Sequence, residues 1–125
     1  MFTLRLLVIL LFPASLCAQL PAAATDTMYR FADYADVVFS PPSQASLSVE
    51  GPNVKMLTAF IDAADTSRLT GKPAGYLIWL VRGREFAKAD FYLSPVPGWI
   101  IEYAGKKYRH RISDSGLQFL KQYAK

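Results

Sequence analysis

The side chains best suited to chemistry are few. His110 is the only histidine, within Lys106-Lys107-Tyr108-Arg109-His110-Arg111-Ile112. An imidazole can serve as a general base or a pH switch, because its charge changes near neutral pH. In strand phase His110 shares a face with Tyr108 and Ile112, and across a hairpin with Trp99, Ile101 and Tyr103. That setting suits a half-buried histidine packed among aromatics and hydrogen-bonded once. Ser115, His110 and Asp114 have the composition of a catalytic triad, but neighbours in one run do not converge as a triad must. Ser113 and Ser115 read more simply as helix-start residues.

Carboxylates recur three apart, as Asp33 with Asp36 and as Asp62 with Asp65. On a helix each pair shares a face, where paired acids do acid–base work or bind a hard cation. A solvated polar face explains the same spacing. No EF-hand spacing, HExxH, CxxC, Walker loop or GxGxxG occurs. One cysteine excludes an intrachain disulfide, and one histidine excludes a multi-histidine metal site. No cofactor and no metal are expected. An enzyme built on scattered carboxylates and His110 is the third of the functional readings below.

The strongest local feature is cationic. Strand alternation puts Lys107, Arg109 and Arg111 on one face, opposite Tyr108 and His110, with Glu102 expected among them from the partner strand. Lys106 lies beside the turn. Arg82 and Arg84 occupy another turn and extend the patch if the two turns lie close. Residues 19–81 carry four basic and six acidic groups, net −2, whereas residues 82–125 carry nine and four, net +5. A basic strand of this kind suits an acidic protein surface, an anionic polysaccharide or lipid headgroups. An ordinary solvated sheet face would also carry such charges. Nucleic acid is not an expected partner of an exported chain with so modest an excess of charge. Trp99, just after a Pro-Gly loop, is the expected exposed aromatic beside the patch.

These residues need elements to hold them. Phe31, Tyr34, Ala35 and Val38 recur at helical spacing and predict a helix over 26–38, although Val37, Val38 and Phe39 also read as the start of a strand. Leu47 and Val49 alternate with polar residues as in a short strand. Val54, Leu57, Ile61 and Ala64 form a second helical stripe, although 54–61 also reads as a strand. Residues 76–81 are continuously apolar, as in a strand covered on both faces. Arg82 to Glu85 predict a turn, Phe86 to Leu93 an alternating strand, and 99–103 with 107–112 a hairpin. Ser113 is placed to cap a last helix carrying Leu117, Leu120 and Ala124. The expected fold is α+β: a four-stranded antiparallel meander over about 76–112, packed by helices from the N-terminal half and a C-terminal helix.

Arg5, the apolar run Leu6–Phe12 and the small residues after Pro13 have the pattern of a signal peptide. Its end falls at Ala18, with 24 as the alternative, and either cut removes Cys17. Lipid attachment at Cys17 is disfavoured by Leu16 before it, and anchoring by residues 6–24 by Pro13, Ser15 and Gln19. The expected organisation is a signal peptide over 1–18, a flexible mature N-terminus over 19–27, and one small α+β domain over 28–125. Such a length supports one core without staples. The expected function is that of a small exported, non-enzymatic protein, periplasmic or secreted, that binds another protein in an inhibitory, immunity-type or envelope-accessory role. A binding module for an anionic polymer or lipid surface is the alternative.

Overall fold

Alternation of period two governs more of the chain than its helical stripes suggest. The computed structural model describes residues 19–65 and 69–124. The expected signal peptide over 1–18, with Cys17 and most of the 6–24 anchor, lies outside the described residues. The elements run α1 (Ala22–Phe31), β1 (Ala32–Phe39), β2 (Ser46–Glu50), α2 (Pro52–Ala59), β3 (Ile61–Ala64), β4 (Gly75–Val81), β5 (Arg84–Tyr92), β6 (Gly98–Tyr103), β7 (Lys106–Ile112) and α3 (Asp114–Tyr123). The fold is α+β. The meander β4–β7 is the middle of a seven-stranded antiparallel sheet of order β2-β1-β4-β5-β6-β7-β3, not a four-stranded sheet in itself.

The three additional strands come from residues expected to be helical or only weakly structured. The predicted 26–38 helix stops at Phe31, and Ala32–Phe39 pairs with both β2 and β4. Ala35, Val37 and Phe39 are buried on one face, and of the expected helical stripe only Ala35 is among them, so period two overrides the helical spacing here. Filling the slot between β2 and β4 satisfies backbone groups on both sides, which a helix there would leave unpaired. Likewise the second helix ends at Ala59, and Ile61 leaves it to pair with Ile112 at the far edge. Residues 19–27, expected to be flexible, are packed: Leu20, just before α1, is buried, as is Ala24 on it, in line with Met28.

Turns at the meander's tips are tight. Arg82-Gly83 and Ala104-Gly105 each hold two consecutive residues at positive φ, near +55 and +77 in the first and +51 and +78 in the second. These are the backbone angles of two-residue hairpins whose twist matches the flanking strands. Arg84 and Glu85 therefore belong to β5, not to a longer turn.

The three helices of the described residues lie on one face. Beneath them Trp79 and Trp99 sit 6.2 Å apart between ring centres, with the small side chains of Ala87 and Ala89 on β5 making room. The Trp79 indole N–H donates to Thr58 Oγ1 at 3.1 Å, and the Trp99 N–H donates to the Phe60 carbonyl at 3.2 Å. Both tryptophans thus fasten the sheet to α2 and its last turn. α3 starts at Ser113, whose hydroxyl accepts from the Gly116 N–H at 3.1 Å, and it returns beneath the sheet until Tyr123 meets Phe39. Over the other sheet face no helix lies among the described residues. There Tyr76 is exposed and Ile78 and Leu80 are half-buried, so β4 is covered on one face, not two.

Two substitutions test this packing. Thr58→Val is nearly isosteric but strands the buried Trp79 N–H, with an expected loss of about 1–3 kcal/mol; a urea midpoint equal to wild type would refute the bridge. Gly116→Ala should raise helix propensity, yet its Cβ would lie 2.6 Å from Phe60 Cγ and 2.7 Å from Phe60 Cβ. Its thermal midpoint is expected to fall by several degrees, and a rise would refute the contact.

Candidate functional site

Strand alternation in β7 separates two kinds of side chain. Tyr108, His110 and Ile112 point to the helix-covered face, while Lys107, Arg109 and Arg111 point to the open one. Lys107 and Arg111 are exposed and Arg109 is half-buried. Acids interrupt the stripe. Glu102 stands opposite Lys107 on one side and Lys88 on the other, and Asp90 lies one strand beyond Ile100, the neighbour of Arg109. The open face is thus striped with alternating charge, not uniformly basic.

The strands run antiparallel, so the β4–β5 and β6–β7 turns emerge at the same end of the sheet. Two strand spacings, about 10 Å, separate them. Arg82, Arg84, Lys106 and Lys107 are all exposed at this end. The cationic residues that the sequence divides between two turns come together here.

The aromatic partners differ from expectation. Trp99 is fully buried, in ring contact with Phe91 and Trp79 and bonded to the Phe60 carbonyl, and offers nothing to a ligand. Its side chain alternates in phase with Ile101, so β6 directs it under the helices. Tyr108 is half-buried on the same inner face. Instead, Phe31 is 57% and Tyr29 47% exposed at the end of α1. Thr27, Phe31, Val81 and Arg82 line a shallow groove of about 300 Å³. Phe31 thus brings an uncovered aromatic to the same end as the cationic turns, because Ala32 pairs with Val81. Sequence reading missed it by counting Phe31 in a core stripe with Tyr34, which is 42% exposed. The spacing of Leu20, Ala24 and Met28, four apart, carried the signal for the true buried face of α1.

His110 is 5% exposed and its ring is held at both nitrogens. The Leu20 N–H can only donate, so Nε2, 2.9 Å away, is the unprotonated acceptor. Nδ1 therefore carries the proton and donates to the Asp62 carbonyl at 2.6 Å. Two backbone bonds replace the single one expected, and they tie the N-terminal segment to β3 and β7. This arrangement clamps three chain segments and presents no free nitrogen to a substrate.

The carboxylate pairs are not brought together as helix-face pairs. Asp33 falls at the irregularity in β1, and Asp36 accepts a hydrogen bond from the Ser48 hydroxyl at 2.8 Å. Asp62 accepts from the Ala63 N–H, while the Asp65 N–H donates to the Arg109 carbonyl. Ser113 is engaged as the α3 cap. Among the described residues no group of three or more His, Cys, Asp and Glu side chains could hold a metal ion.

His110→Ala is expected to cost about 1–3 kcal/mol by leaving the Leu20 N–H unpaired, and to open the N-terminal segment to limited proteolysis before the core. Unchanged stability together with unchanged cleavage would refute the clamp. In comparisons with known proteins, no family model, no curated protein and no solved structure matches this chain.

Proposed function

We propose that this chain is a small exported, non-enzymatic protein that binds an acidic surface on another protein, in an inhibitory, immunity-type or envelope-accessory role. The observation that carries the reading is the turn end of the sheet, where exposed Phe31 shares a groove with Arg82, and where Arg84, Lys106 and Lys107 are exposed farther along the same end. An uncovered aromatic beside Arg82, with further cations along the same sheet end, supplies both halves of an extended docking surface. The ring contributes apolar area in a central contact. The cations steer an acidic partner and fix its orientation. Phe31 suits a protein partner, whose apolar side chains can cover the ring in a central contact. Arg111 and the half-buried Arg109 extend the charge along β7, while Glu102 and Asp90 limit how far a uniform polyanion could follow it. Export rests on the sequence pattern before Gln19. Among the described residues no helix is long and apolar enough to cross a membrane.

Surface charges of this kind act within a screening length of about 8–10 Å at ordinary ionic strength. The tagged protein, used to capture partners from its native envelope fraction, is expected to retain one stoichiometric acidic protein at low salt and lose it at high salt. The double variant Arg82→Glu, Lys107→Glu should weaken that capture about tenfold or more, and Phe31→Ala should weaken it without changing its salt dependence. Capture indifferent to all three changes refutes this surface. Co-purifying lipid or polysaccharide with no protein would replace the protein partner by an anionic polymer or membrane.

A further inference from the structure

The N-terminal sequence offers two bonds for removal of an export signal. A cut after Ala24 uses Ala22 and Ala24 at the small-residue positions, and a cut after Ala18 leaves the larger Leu16 at the third position before the bond. On residue size alone the later bond is the better one. We propose that the fold excludes the later bond and fixes processing between Ala18 and Gln19, the first of the two ends given above, an inference that rests on the export reading and names where it acts.

The reason is what the fold does with residues 20–24. Leu20, before the helix, is 4% exposed and Ala24 1%, and Ala24 with Met28 forms the buried stripe of α1. The Leu20 N–H occupies Nε2 of His110. The Pro21 carbonyl accepts from the N–H groups of Ala24 and Thr25 at 2.9 and 3.1 Å, which closes the first turn of α1. The Ala23 carbonyl accepts from the Thr27 hydroxyl at 2.9 Å. A cut after Ala24 would remove two core side chains and that first turn, and would leave the His110 acceptor without its donor. A cut after Ala18 takes away none of these contacts.

Electrostatics agrees with the earlier bond. Gln19 is exposed and lines an open groove whose carboxylates are Asp26 and Asp62, with no lysine or arginine in its lining. Asp26 is already paired with Arg30 at 3.1 Å, so a free α-ammonium group created by cleavage before Gln19 would have the Asp62 carboxylate as the favourable charge in this groove. Cleavage before Thr25 would place the new charge at the end of α1 that carries the positive pole of the helix dipole.

The test is to express the full 125-residue chain in a secreting bacterial host and to determine the intact mass and N-terminal sequence of the recovered protein. The expected product begins at Gln19, free or cyclised to pyroglutamate. A product beginning at Thr25, or at a lipid-modified Cys17, overturns the assignment while export stands. A chain that keeps Met1 and stays in the cytoplasm overturns both.

Discussion

Two buried indole N–H groups set the terms for much of this molecule. Trp79 and Trp99 project from β4 and β6 into the same layer, and each needs an acceptor where water cannot reach. Both find one within three consecutive residues of the chain, the Thr58 hydroxyl and the Phe60 carbonyl. α2 must therefore lie across the tryptophans and must finish near Phe60. Thr58 in turn donates its own hydroxyl hydrogen to the Val54 carbonyl, so the bridge continues into the helix backbone. The Phe60 carbonyl also receives the Ser113 N–H, which sets the start of α3 against the end of α2. One short segment thus organises the sheet, its far edge strand and the last helix.

The second half of the fold was legible because its signals are local. Ala87, Ala89 and Phe91 alternate cleanly, the Gly83 and Gly105 turns connect immediate neighbours, and Ser113 caps in sequence order. The first half was harder because its apolar residues satisfy two periods at once. Tyr34, Ala35 and Val38 fit a helix, but Ala35, Val37 and Phe39 fit a strand, and the choice is made by β2 and β4 on either side. Ile61 is decided in the same way by Ile112, about fifty residues later. Such pairings are tertiary and leave no trace in a window of ten residues.

The candidate surface was legible in its charges and illegible in its aromatics. Arg82, Arg84, Lys106 and Lys107 flank or form predicted turns, and turns are exposed. Whether an aromatic is exposed depends on which face the local element presents. Trp99 went inward because β6 is in phase with the core at that position, and Phe31 went outward because Leu20, Ala24 and Met28 claim the opposite side of α1. The acids Glu102 and Asp90 came to lie among the cations by strand register, so the open face is less basic than β7 considered by itself.

The course of α2 has a geometric consequence. Glu50 ends the strand at one margin of the sheet, and Ile61 begins the strand at the other, six strand gaps away. Laid flat, those gaps would span about 29 Å. The helix between them rises only about 12 Å, and its flanking residues add roughly 10 Å more. A chord so short cannot subtend a flat sheet. The seven strands are bent into a trough whose opening is held by the covalent length of residues 50–61, with the tryptophans along its floor. The trough's hollow is occupied by the chain itself, and a partner of any size must approach from the convex side or from the rim.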